Sequence, residues 1–103
     1  FLIRELSAAG YQTTEAGNSK EVFDQLNVET PPDLVVMELD LPVSIGINIL
    51  ERVQNLLPRI PQIIYTHLTE YENHPAAQKA DDFIEKDEDL HDLLHSISEV
   101  LGK

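Results

Sequence analysis

Two short stretches of this chain leave little freedom in how it folds. Leu34-Val35-Val36-Met37 and Ile63-Ile64-Tyr65 are apolar at every position, without the alternation of a half-exposed strand. The first runs from Asp33 to Glu38 and ends in an acid; the second runs from Ile60 to Thr66. Short apolar runs rich in β-branched residues read as strands covered on both faces, as in a parallel sheet. Pro61 is compatible with the second strand only near its start, because a central strand needs its ladder N–H groups.

Helical spacing recurs between and around these runs. Leu2, Leu6 and Ala9 share a face in residues 1–9, and Gly10 is placed to end that helix. Tyr11 to Glu15, with two threonines, suits a short strand. Asn18 and Glu21 have the spacing of a capping box, which predicts a helix over 19–27 with Val22, Phe23 and Leu26 inward. Pro42 and Gly46 punctuate the loop after the first buried run. Ile49, Leu50, Val53, Leu56 and Leu57 then repeat at helical spacing up to Pro58. Residues 67–80 are polar, and Pro75 suits the first position of a short helix ending near Lys79. Asp82 to Glu85 reads as a strand. A last helix is expected from about Glu88 to Leu101, with Leu90, Leu93, Leu94, Ile97 and Leu101 inward, Asp87 as its N-cap and Gly102 as its stop. Strands alternating with helices predict an α/β fold, a parallel sheet with helices on both faces. No linker divides the chain, so residues 1–103 are expected to form one domain.

Composition narrows the function. With 19 acidic residues against 7 Lys and Arg, the formal charge is −12. Such a chain repels phosphate backbones and anionic lipid, which argues against nucleic acid and membrane surfaces as partners. The absence of cysteine removes disulfides, thiol nucleophiles and cysteine zinc sites. No segment approaches the roughly 20 apolar residues of a membrane span, and no signal peptide is visible, so a cytoplasmic location is expected.

In an open α/β sheet, ligands bind beyond the carboxyl ends of the strands. Glu38, Thr66 and Lys86 stand at three such ends. Each alone is an ordinary solvated strand end. Together, a carboxylate, a hydroxyl and an ammonium in this order suit a phosphoryl group. These residues resemble the receiver domain of two-component response regulators along the whole chain. The stretch from Asp33 to Pro42, followed by Gly46, is similar to the family's third strand and loop, with the acceptor position at Glu38. Ile63-Ile-Tyr-Thr66 resembles the fourth strand. Lys79-Ala-Asp-Asp-Phe-Ile-Glu-Lys86 resembles the fifth, with the aromatic switch position at Phe83 and the phosphate-sensing lysine at Lys86. The resemblance implies a doubly wound sheet of flavodoxin-like type. It also implies a sensor histidine kinase or phosphotransfer protein as partner, and an output domain in the same full-length protein.

The departures bear on mechanism. Glutamate replaces the family's phosphorylated aspartate, and its extra methylene displaces the carboxylate by about an ångström from the in-line geometry that phosphoryl transfer needs. Glu38 could instead reach Lys86 and pair with it, in a contact resembling the phosphorylated state; plain loss of phosphorylation is the competing expectation. The resemblance places the family's magnesium-binding acidic pair on a strand before Phe1, so the chain is expected to begin after its first strand. Magnesium is then expected only if that upstream pair exists. Asp40 is the remaining carboxylate near the metal position, with a solvated loop acid as its plainer reading. Asp87 stands where the family has proline. The first reading is therefore a pseudo-receiver, not an enzyme, that works through protein contact. The alternatives are a working phosphoacceptor using Glu38 or Asp40 with magnesium and, from another class, a small carboxylate hydrolase built on the same two acids.

One further pattern lies outside that resemblance. His91 and His95, four apart on the last helix, with Asp87 one turn earlier, form a conceivable zinc pair. Solvated flank residues are the simpler expectation for them.

Overall fold

A computed structural model of the chain describes residues 2–39, 43–87 and 90–102. Its elements follow in the order α1 (Leu2–Ala8), α2 (Ser19–Leu26), β1 (Val35–Glu38), α3 (Val43–Leu56), β2 (Gln62–Thr66), α4 (Pro75–Lys79), β3 (Asp82–Glu85) and α5 (His91–Val100), with a single 3-10 turn at Thr69–Tyr71 before α4. The chain divides into two compact units, Phe1–Pro32 and Asp33–Lys103.

In the first unit α1 ends and α2 begins as the sequence specifies. Gly10 takes φ +97°, and the bonds Gly10 N–H to Ser7 O and Tyr11 N–H to Leu6 O close a Schellman motif after α1. Asn18 accepts the Glu21 N–H at 2.9 Å, while the Glu21 carboxylate reaches back to the Gly17 N–H at 2.7 Å. That is a capping box shifted outward by one residue. Tyr11 to Glu15 is not a strand. A strand exists only through its ladder, and among the described residues nothing pairs with this segment.

The second unit contains the sheet, three parallel strands in the order β1-β2-β3. β2 lies between the other two and is buried at every position, as its unbroken apolar run requires. Register sets Glu38 opposite Tyr65, and Tyr65 opposite Ile84; Thr66 faces Glu85. Helices cover both faces. α5 packs on the face carrying Asp82, whose carboxylate accepts the Ser96 hydroxyl at 2.6 Å. α3 and α4 lie on the face of Gln62, where Gln54 of α3 donates to Ala76 O of α4 at 2.8 Å. Leu39, Leu50, Val53, Ile63, Ile64 and Leu93 are fully buried in the core between these layers.

Two boundaries differ from expectation. Gly46 lies inside α3, not in a loop. A Cβ on it would sit 2.9 Å from Leu39 Cδ2, so the glycine lets the helix pass close against the residue that follows β1. α5 begins at His91 with Leu90 as its N-cap residue, which makes no side-chain cap bond, so Asp87 does not hold the N-cap position expected for it. Leu90 is buried, and carrying it into the core sets where the first turn starts. Glu88, the expected first residue, lies outside the described residues. By contrast, Pro75 does open α4, with the His74 imidazole accepting the Ala76 N–H at 3.1 Å.

Candidate functional site

Parallel pairing brings the carboxyl ends of β1, β2 and β3 to one edge of the sheet, and the predicted residues sit there with unequal roles. Side chains alternate along each strand, so Glu38, Tyr65 and Ile84 project from one face, and Lys86, two residues beyond Ile84, follows them. The Lys86 ammonium forms an ion pair with the Glu38 carboxylate. The contact runs from the end of β1 to the end of β3 and spans the end of β2 between them. Lys86 is the more buried partner, with its side chain 19% exposed against 41% for Glu38. The expectation that the longer acid reaches the lysine is met.

Tyr65 completes this cluster. Its ring centroid lies 5.7 Å from the Lys86 ammonium, within cation–π range. Burial, above all, raises the phenol's pKa above its ordinary value. The positive Lys86 works against that rise, the negative Glu38 adds to it, and a hydrogen bond from the Asp87 main chain opposes it. Sequence reading passed over Tyr65 as one more apolar strand residue. Only the register, which pairs Glu38 with Tyr65, shows that the residue before Thr66 faces the side on which Glu38 stands.

Thr66 and Phe83 project from the opposite face of their strands. Thr66 is fully buried at 0% exposure, and its hydroxyl has two main-chain partners. It donates to Leu39 O at 2.8 Å and accepts the Leu68 N–H at 2.9 Å. The Lys86 N–H in turn donates to Thr66 O at 2.8 Å. Thr66 therefore ties together the segments leaving β1, β2 and β3. Phe83 is half-buried on β3, on the same face as Ile64 and Thr66. The structure thus unites Glu38 with Lys86, whereas the Thr66 hydroxyl is given over to the backbone. Asp40 lies outside the described residues. His67 is exposed just past β2.

The family that this site resembles uses magnesium. Among the described residues no group of three or more His, Asp or Glu side chains is arranged to hold a metal ion, and Glu38 is engaged by Lys86. Asp40, the other carboxylate assigned near the metal position, lies outside the described residues. No helix among the described residues is long and apolar enough to cross a membrane.

Comparison with known proteins gives a consistent result. The sequence model of the response regulator receiver domain matches residues 1–98. The chain is 26% identical over 103 residues to the DNA-binding transcriptional regulator NtrC of Klebsiella pneumoniae. That match takes in 98% of this chain but 22% of the relative, so the chain spans about a fifth of that protein's length. Among solved structures, a CheY-like receiver domain protein from Methanospirillum hungatei is 28% identical with a TM-score of 0.80, over 95% of this chain and 79% of that one. A chain in the complex of histidine kinase ThkA with the response regulator TrrA of Thermotoga maritima superposes with a TM-score of 0.85 at 21% identity, over 98% of this chain and 86% of that one. At that identity the second likeness is one of fold.

Proposed function

The chain belongs to the response regulator receiver domain family, and from that premise we propose that it is a receiver whose acceptor position is closed by its own side chains and which signals through protein contact. The observation that carries this reading is the Glu38–Lys86 ion pair. Glutamate delivers to the lysine the anionic oxygens that a phosphoryl group on a shorter acid would otherwise present. The lysine is mostly buried, so it gains more from a fixed carboxylate than an exposed lysine does. With its charge compensated, the strand-end edge has one stable arrangement that needs no phosphoryl donor. The partner is a sensor histidine kinase or a phosphotransfer protein, in keeping with the kinase bound to TrrA in the related complex. An output domain in a longer, cytoplasmic protein receives the signal, as the partial coverage of NtrC suggests. On this reading residues 1–103 act as one domain, Phe83 and Thr66 hold the switch positions without switching, and the chain is not an enzyme.

The test is exposure to acetyl phosphate with magnesium, and separately to beryllofluoride with magnesium, followed by intact mass and amide NMR. The expected result is no mass gain and no movement of the Thr66 and Lys86 amides. A gain of one phosphoryl group that disappears in Glu38→Ala would overturn the proposal and establish a working acceptor.

A further inference from the structure

We infer that the solvent face of α5 carries a two-histidine site for a borderline divalent transition metal of the zinc, nickel or copper(II) class, separate from the strand-end edge. His91 and His95 are both exposed, one helical turn apart, and their rings stack with centroids 6.5 Å apart and planes 19° from parallel. The buried side of the helix is occupied by Leu93, Ser96 and Ile97, so neither imidazole serves the core. Residues at i and i+4 lie one above the other on a helix, which is how two histidines on one helix come to share a zinc ion. A shared ion requires one nitrogen of each ring at roughly 2.0–2.1 Å, and the i, i+4 placement puts both rings on one side of the helix. Imidazole selects these metals over magnesium and calcium, which prefer oxygen ligands.

The surroundings favour a cation. Glu99 follows one turn on, its carboxylate 3.7 Å from His95 Nε2, and Asp92 is exposed beside His91. Among the described residues no group of three or more His, Asp or Glu is arranged to hold a metal, and His91 and His95 supply two nitrogens. That makes the site reversible and exchangeable, unlike a structural zinc centre with four protein ligands. It also has a mechanical consequence. His91 is the first residue of α5. An ion bridging His91 and His95 ties the first turn to the second, so binding and helix formation reinforce each other.

Titration of the 103-residue chain with zinc chloride, read by histidine side-chain NMR and by thermal melting, tests the assignment. The expected result is one equivalent bound, the His91 and His95 ring signals moving together, His74 and His67 signals unchanged, and a melting temperature that rises with zinc concentration. Since even disturbing the support of a ligand costs about 10- to 100-fold in affinity, His95→Gln should weaken binding by at least about tenfold. Excess magnesium should not compete. Stationary His91 and His95 signals in the wild-type chain, or equal zinc affinity in wild type and His95→Gln, would overturn the site. The wild-type spectra decide the matter even if the variant folds poorly.

Discussion

Removing one member of the Glu38–Lys86 pair should cost stability in an order set by burial. Deleting one partner of a fully buried pair costs about 3–5 kcal/mol, whereas exposed pairs are worth about 0.2–1 kcal/mol. This pair lies between those limits, with Lys86 at 19% and Glu38 at 41% exposure. In Glu38→Gln the more buried charge loses this carboxylate, while the Tyr65 ring stays 5.7 Å from the ammonium, a contact worth about 0.5–1 kcal/mol. The expected cost is about 2 kcal/mol, well below the fully buried limit. In Lys86→Met the orphan is Glu38, which can turn to water, and the methionine retains much of the lysine's apolar stem; about 1 kcal/mol is expected.

The double variant isolates the pair itself, because each single change also alters hydration and packing. Urea denaturation of wild type, both single variants and the double variant should yield a coupling of about 1–2 kcal/mol. Glu38→Asp keeps the charge but draws the carboxylate back by one methylene, so it should lose most of that coupling. The reasoning fails if the coupling is under about 0.5 kcal/mol, the scale of a surface pair, or if Lys86→Met proves costlier than Glu38→Gln.

Thr66→Val should destabilise by about 2–4 kcal/mol in denaturant melts, because it strands both Leu39 O and the Leu68 N–H; Thr66→Ser should cost about 1 kcal/mol. Gly46→Ala gains about 1 kcal/mol of helix propensity but forces a Cβ to 2.9 Å from the fully buried Leu39, an overpacking cost of about 1–3 kcal/mol. Net destabilisation is expected in wild type, with the sign reversing in a Leu39→Ala background, as a double-mutant cycle by urea denaturation would register. Spectrophotometric titration should find Tyr65 ionising above the ordinary tyrosine value of about 10, and higher still in Lys86→Met, where the opposing positive charge is gone. A phenol held protonated by the fold contributes stability that is complete below the unfolded value. That contribution fades as pH rises from there through the raised folded value, so alkaline melts should steepen in that window.

How much of this was legible in the sequence depends on whether the cause was local. The buried strands could be read because a run such as Ile63-Ile64-Tyr65 has no solvent face in any register, and α4 because Pro75 fits only a first turn. Strand-end residues followed from the same reading, while the longer Glu38 side chain left pairing with Lys86 and plain loss of phosphorylation as competing expectations. The failures share a different character. Tyr11 to Glu15 has strand-like composition, yet strand formation is a property of a pair and no composition supplies the partner. Gly46 looked like loop punctuation because its reason, the passage of α3 over Leu39, lies in another element. Asp87 looked like a cap until burial of Leu90 set the start of α5. Ser96 gave a faint signal, a hydroxyl within an apolar stripe, whose meaning appears only with Asp82 opposite it. Thr66 is the most instructive case. Its position was predicted for the chemistry of a ligand, and its hydroxyl is spent on Leu39 O and the Leu68 N–H. A group at a strand end can be structurally committed before any ligand arrives. An anionic ligand can take the Thr66 hydroxyl proton only by displacing its bond to Leu39 O, which joins the end of β2 to the residue leaving β1, so such a response is a rearrangement of that edge.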